Sequence, residues 1–168
     1  MDAATDLYSG LDGAVADTEK PYLEPGGNYV VEVTSLKVFN GRTSNETLLL
    51  EYQVIESDVP AMPPGSTAKY MVTDYFARKK PDNKAIKLRN LIGVLAAVAN
   101  KDPSTAEQWG QVAKYASDTQ CYSRGCRNAQ GQPLRGGRGV LLRVKTGAMK
   151  RSKDGHDFIP HFFSHVEG

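Results

Sequence analysis

The sequence is poor in cysteine and tryptophan and contains no long hydrophobic run. Its 168 residues include two cysteines and one tryptophan, so a disulfide framework like that of small secreted domains is not expected. The longest apolar stretch, Leu91 to Val98, is far shorter than the roughly 20 residues of a membrane-spanning helix. A secretory signal requires a basic segment followed by an apolar one, and the first residues of the sequence do not have this pattern. These absences predict a single non-membrane domain in a reducing, cytoplasmic setting.

Motifs of the common catalytic sites are also missing. The sequence has no GxxxxGK[ST] phosphate-binding loop, no GxSxG nucleophile turn and no HExxH zinc motif. Beyond the N-terminal region its acidic residues are scattered, whereas a metal-dependent nuclease needs a cluster of them to hold Mg²⁺. The sequence therefore predicts a protein that is not an enzyme and that needs no cofactor.

Charge is separated along the chain although the net charge is only +2. Residues 1–27 contain six acidic residues and one lysine, whereas residues 120–153 contain nine arginines and lysines and no acid. We predict an acidic, flexible arm over residues 1–27 and one domain over residues 28–168. Separation of this kind is typical of proteins that bind polyanions, although a solvated charged face produces single clusters as well.

The spacing of apolar residues predicts a mainly β domain with a helical insertion. Alternation indicates strands over residues 28–38, 48–55 and 66–76, and a change of apolar phase between Val33 and Leu36 predicts a bulge or a sharp coil in the first of them. Helical spacing follows over residues 83–100 and 104–117. Two further strands, over residues 139–146 and 156–166, complete the order β-β-β-α-α-β-β. We expect Tyr29, Tyr52, Phe158 and one of Phe162 or Phe163 in the core.

Cations and aromatic rings occur together in three parts of the chain. A single strand of nucleic acid needs cations along its phosphates and flat side chains on which its bases stack. The three parts are the end of the first strand with its turn, the third strand with the basic segment after it, and the late basic segment. The candidate binding residues are Phe39, Arg42, Lys69, Tyr75, Arg78, Lys79, Lys80, Tyr122, Arg124, Arg127, Arg135, Arg138, Arg143, Lys145, Lys150, Arg151 and Lys153.

The cysteines suggest a second kind of site. Cys121 and Cys126 together with His156 and either His161 or His165 would make a tetrahedral Cys₂His₂ zinc site. One CxxxxC pair with histidines about thirty residues away is a weak zinc pattern, and two ordinary thiols are the favoured interpretation.

The order of the elements, together with several local segments, resembles the single-stranded-DNA-binding proteins encoded by bacteriophages. That family has the OB-fold, a five-stranded barrel with a helix between its third and fourth strands. The resemblance spans Pro25 to Val166. The segments that carry it are Pro25–Tyr29, Leu48–Ile55, Ala85–Ala99, Gly139–Arg143 and the lysine-rich turn with Asp154 and Gly155.

The resemblance implies a protein that coats single-stranded DNA during phage replication or recombination in the cytoplasm of a bacterial host, with replication or recombination proteins as further partners. It places the ligand across the second and third strands, between the loop of residues 40–46 and the loop of residues 147–155. The implied groove residues are Arg42, Lys69, Met71, Thr73, Tyr75, Lys150, Arg151 and Lys153.

Two alternatives from other classes remain open on the sequence. One is an OB-like protein-interaction or virion-structural module whose basic face meets an acidic partner. The other is an RNA-binding or transcription accessory factor that uses the same groove, since RNA and DNA are distinguished by local geometry. The oligomeric state is open as well, because the aromatic last strand is apolar enough to pair across an interface.

Overall fold

A computed structural model of the chain describes residues 22–40, 46–75, 82, 84–105, 108–119, 121–151 and 157–167. Within these residues the chain is mainly β with two helices between the third and fourth strands, as the sequence predicts. The elements are β1 (Asn28–Asn40), β2 (Glu46–Ser57), β3 (Thr67–Thr73), α1 (Lys84–Ala99), α2 (Trp109–Thr119), a 3₁₀ turn (Leu134–Gly137), β4 (Leu141–Thr146), β5 (Lys150–Arg151), β6 (Asp157–Phe158) and β7 (His161–Val166).

Five of the strands form one antiparallel sheet in the order β3-β2-β1-β4-β7, and β5 pairs with β6 in a separate two-stranded ladder. No backbone ladder joins β3 to β7 within the described residues, so hydrogen bonding leaves the sheet open. The two edge strands meet instead through rings. The ring centroid of Tyr70 on β3 lies 4.8 Å from that of His161 and 4.9 Å from that of Phe163, both on β7.

The predicted bulge in β1 is confirmed. The register between β1 and β2 shifts between Val30 and Val31 and again between Val33 and Ser35. Val33 and Leu36 are consequently both fully buried although they lie an odd number of residues apart. The irregularities keep the apolar side of a thirteen-residue strand turned toward the core along most of its length.

The core lies on one face of the sheet, beneath the two helices. Tyr29 and Tyr52 are buried there, as predicted, and Phe163 is half-buried and packs against the core cluster. The prediction for Phe158 is wrong, because its side chain is 47% exposed. Pro160 has no N–H to donate to a ladder, and the single predicted strand over residues 156–166 is divided there into β6 and β7.

Residues 22–27 pack onto the sheet although the sequence interpretation assigns them to the arm. Leu23 is fully buried, and the Gly26 N–H donates to the Gly147 carbonyl at 3.1 Å. A Cβ on Gly27 would lie 2.5 Å from Cγ2 of Val59, so only glycine fits there. The packed domain therefore includes these residues, and the remainder of the predicted arm lies outside the described residues.

Both predicted helices are present, and α2 begins five residues later than its spacing suggests. The helix α1 buries Leu91, Val94, Leu95 and Val98 and contacts both edge strands of the sheet. Its Ala97 carbonyl lies 3.0 Å from Nδ1 of His165 on β7. No helix in the described part of the chain has the length and apolarity to cross a bilayer.

Candidate nucleic-acid interface

Strand β4 presents two cations on the solvent side of the sheet. Leu142, Val144 and Thr146 point into the core, whereas Arg143 and Lys145 between them are exposed. Successive side chains of a strand lie on opposite faces, so the alternation of apolar and basic residues in β4 places both cations on the outer face.

The neighbouring strands continue this exposed surface. Lys145 lies opposite Phe162 of β7, and Arg143 lies opposite Ser164. Phe162 is 62% exposed, which is high for a large aromatic ring. On the other side of β4, Val30 of β1 pairs with Arg143, and beyond Val30 the exposed Glu56 of β2 marks where the positive surface ends.

The β5–β6 hairpin repeats the pairing of lysine with phenylalanine. Lys150 lies directly opposite Phe158, and both side chains are exposed. Nε of Arg151 lies 3.8 Å from Oδ1 of Asp157, and both partners are largely solvated, so this ion pair contributes little stability. The hairpin follows β4 after only Gly147–Met149, which places it at the end of the strand that carries Lys145.

We call this surface the basic strip. Its members are side chains of β4, β5, β6 and β7 and of the segment between β4 and β5, and all of them are exposed. They are Arg143, Lys145, Met149, Lys150, Arg151, Phe158 and Phe162. Directly opposed side chains in an antiparallel pair have Cβ atoms about 5 Å apart. The strip therefore holds a cation beside a ring at two places.

Four predicted arginines precede β4, and their guanidinium groups hold the loop in shape. Arg124 Nε donates to Oε2 of the buried Glu32 at 3.1 Å, and Arg127 Nη1 donates to the Gly131 carbonyl at 2.7 Å. Arg135 Nη2 donates to the Cys121 carbonyl at 3.0 Å, and Arg138 Nε donates to the Arg135 carbonyl at 3.3 Å. The loop before β4 is thus hydrogen-bonded within itself and, through Arg124, to β1.

The prediction that Tyr122 stacks on bases is wrong. Its side chain is 4% exposed and belongs to the core cluster, and burial raises its pKa to about 12. The guanidinium carbon of Arg135 lies 5.8 Å from the centroid of the ring. Tyr122 is therefore an anchor that attaches the arginine-rich loop to the body of the protein.

The two cysteines are neither ordinary thiols nor zinc ligands in this structure. Cys121 and Cys126 are joined in a disulfide with a Cα–Cα distance of 5.9 Å. Sulfur atoms bonded to each other lack the thiolate charge that zinc requires. His161 is bound to the Ile159 carbonyl through Nδ1, and burial lowers its pKa. No group of three possible metal ligands occurs among the described residues, and His156 lies outside them.

The predicted floor of the groove on β3 is only partly formed. Lys69 and Met71 lie on the outer face of β3, half-buried opposite Glu51 and Leu49 of β2. Lys69 Nζ lies 5.5 Å from the ring centroid of Tyr22. Within the ladder β2 and β1 lie between β3 and β4, so these side chains do not lie beside the cations of β4.

Tyr75 does not lie on that floor, and the prediction for it is wrong. Strand β3 ends at Thr73, and Asp74 has a φ of 49°, in the left-handed region. The turn breaks the alternation of the strand and directs Tyr75 inward, where it is 9% exposed. Burial, together with the nearby charge of Glu46, raises the pKa of Tyr75.

The remaining candidates are remote or undescribed. Phe39 is 42% exposed at the end of β1 farthest from Asn28, the residue that pairs with Lys145. It therefore does not join the basic strip. The predictions for Arg42, Arg78, Lys79, Lys80 and Lys153 lie outside the described residues.

The sequence did not identify Phe158 and Phe162, the two rings of the strip, as binding residues. In the sequence pattern Phe162 is one of two candidates for the core. In β7, however, His161, Phe163 and His165 occupy the positions that alternate with Phe162, and all three face inward. That parity is the signal by which Phe162 could have been identified. No comparable signal exists for Phe158, because its exposure depends on the hairpin that Pro160 separates from β7.

No protein-family model matches the chain, and no curated protein is significantly similar to it.

Proposed function

We propose that this protein binds single-stranded DNA without catalysis and with little sequence preference, and that it coats and protects the strand through the basic strip. The observation that carries the proposal is that an exposed lysine lies directly opposite an exposed phenylalanine in two strand pairs, Lys145 opposite Phe162 and Lys150 opposite Phe158. Each of these two pairs offers a cation to a phosphate and a ring to the adjacent base.

The chemistry of the strip suits an unpaired strand better than a duplex. In a duplex the bases are stacked on one another, so an exposed phenylalanine has no free base face to contact. In a single strand every base has a free face, and stacking on an aromatic side chain is worth about 1 to 3 kcal/mol per base regardless of sequence. Sequence tolerance follows, since a phenylalanine ring has no hydrogen-bonding group with which to read a base edge.

We further infer that the sheet is an OB-like barrel with an incomplete seam. The order β3-β2-β1-β4-β7 is that of a five-stranded Greek-key barrel opened between its third and last strands. The rings of Tyr70, His161 and Phe163 bridge that opening. In this proposal the DNA lies on the side of β4 and the β5–β6 hairpin instead of across β2 and β3. The setting in phage replication or recombination rests on the sequence resemblance.

The direct test is a titration of fluorescently labelled oligo-dT with the full-length protein at increasing salt. Four cations that neutralise phosphates of a single strand give a slope of log K against log salt of about −3, which is roughly a 50-fold loss of affinity for a fourfold rise in salt. Duplex DNA and RNA of equal length, measured at the same salt, complete the comparison.

The outcomes separate the proposal from its alternatives. Saturable binding of oligo-dT that exceeds binding of the duplex supports the proposal. Tighter binding of RNA than of oligo-dT would favour the RNA-binding alternative. Absence of saturable binding at low salt would contradict the proposal and favour a protein-interaction or virion-structural module.

A further inference from the structure

The disulfide between Cys121 and Cys126 lies inside the arginine-rich loop that precedes β4. It encloses Tyr122, Ser123, Arg124 and Gly125 in a short covalent ring. Cys126 is buried at 5% exposure, whereas Cys121 is half-buried and more open to solvent. Cys121 is therefore the cysteine of the pair that is more open to a solvent-borne reactant.

The enclosed arginine borders the basic strip. The Arg124 side chain is 74% exposed, and its Nε is held by Glu32, whose side chain is largely buried on β1. In the ladder between β1 and β4, Glu32 lies opposite Leu141. Two residues along each strand, on the same face of the sheet, Val30 lies opposite Arg143. Arg124 thus stands one row of side chains away from Arg143, and the disulfide limits the conformations of the segment that carries it.

We propose that the Cys121–Cys126 pair is a reversible redox site whose state sets the affinity of the basic strip for single-stranded DNA. The inference rests on the proposed function. In the oxidised protein the closed ring holds Arg124 beside the strip. In the reduced protein the same segment gains conformations, so Arg124 loses part of its preorganisation for a phosphate.

The reactant is a dithiol. Its first thiolate attacks Cys121 Sγ, the S–S bond of the protein breaks, and Cys126 leaves as a thiolate that takes up a proton. Ser123 Oγ lies 3.8 Å from Cys126 Sγ and can donate a hydrogen bond to that leaving group. The second thiol of the reductant then attacks its own sulfur in the mixed disulfide, and Cys121 is released and protonated. Two electrons pass to the protein, and the reductant becomes a disulfide.

The loop keeps other attachments after reduction, which limits the size of the effect. Tyr122 remains in the core, the Leu134 N–H donates to the Cys126 carbonyl at 2.8 Å, and the Gly125 N–H donates to the Gly137 carbonyl at 3.0 Å. We therefore expect a graded change in affinity and no unfolding. Immobilising one long side chain costs about 0.5 to 1.5 kcal/mol on binding, which corresponds to a roughly two- to twelvefold weaker complex in the reduced state.

The test compares the oxidised full-length protein with protein reduced by excess dithiothreitol. A colorimetric thiol assay counts the cysteines released, oligo-dT titration gives the affinity, and limited trypsin digestion at Arg124 and Arg127 reports the freedom of the loop. The expected result is two thiols, faster cleavage at those arginines and a several-fold weaker complex, all reversed by reoxidation. The double variant Cys121→Ser/Cys126→Ser should bind like the reduced protein and should not respond to dithiothreitol.

Equal affinity of the two states, with two thiols confirmed and oligo-dT bound by both, would overturn the inference while leaving the proposed function intact. The inference would also be overturned if dithiothreitol weakened oligo-dT binding by the double serine variant as much as it weakens binding by the wild-type protein. If neither state binds oligo-dT, the proposed function fails and the control of affinity fails with it. The thiol count and the digestion pattern would still show in that case whether the bond governs the loop.

Discussion

Replacing Arg143, Lys145 and Lys150 together with alanine is expected to weaken oligo-dT binding about 100-fold at 0.1 M salt. Each lost phosphate contact removes about 0.7 from the slope of log K against log salt, so three losses change the slope by about 2. Wild type and variant should then converge near 1 M salt, where counterion release no longer favours binding. All three side chains are exposed, so the fold should be retained. Titrations at several salt concentrations measure both the affinity and the slope.

A matched control removes the same formal charge from another surface. Lys84 and Arg89 on α1 and Lys114 on α2 are also exposed, and their combined replacement by alanine changes the net charge by the same amount. This variant should lose only a few-fold in affinity, with a slope close to that of wild type. If the two triple variants lost affinity equally, the protein would attract DNA by its overall charge and the basic strip would have no special role.

Removing either exposed ring of the strip is the second large effect. We expect Phe162→Ala and Phe158→Ala each to weaken oligo-dT binding about 5- to 150-fold, the range that corresponds to about 1 to 3 kcal/mol of stacking per base. Each ring lies beside a lysine that the substitution leaves in place. The salt slope should therefore stay at its wild-type value, which distinguishes lost stacking from lost phosphate contacts.

Tyr115 on α2 provides the control for the rings. It is 77% exposed, more than either phenylalanine of the strip, but lies on a helix away from the cations of β4. Tyr115→Ala should bind oligo-dT as wild type does. Restoration of affinity by Phe162→Trp would support stacking further, because an indole offers a larger flat face. An unchanged affinity in Phe162→Ala would remove the central contact from the proposal.

Much of the fold was predictable because it depends on short-range alternation. The parity of apolar residues identified the strands β1 to β4, and the break in parity after Val33 identified the bulge. Helical spacing identified α1 and α2. These patterns reflect which side of a strand or helix meets the core, and a one-residue error would turn every side chain to the wrong face.

The candidate site was less predictable because it depends on turns and on partners distant in sequence. Asp74 adopts a left-handed conformation that any sequence window would treat as unlikely, and it moves Tyr75 from the sheet surface into the core. The anchoring of Tyr122, the pairing of the cysteines and the carbonyl partners of the arginines arise from loop closure. Residue type alone does not show whether an arginine faces a phosphate or a carbonyl of its own loop.

Photo-cross-linking to iodouracil-substituted oligo-dT tests most directly whether single-stranded DNA lies on the basic strip. The halogenated base reacts with the aromatic side chain against which it stacks, and the attached peptide is identified by mass spectrometry. We expect cross-links at Phe158 and Phe162, suppressed by excess unlabelled oligo-dT and lost in the triple variant of Arg143, Lys145 and Lys150. Specific cross-links at Tyr22 or Phe39 with none at Phe158 or Phe162 would place the DNA on the side of β1 and β3 and contradict the account.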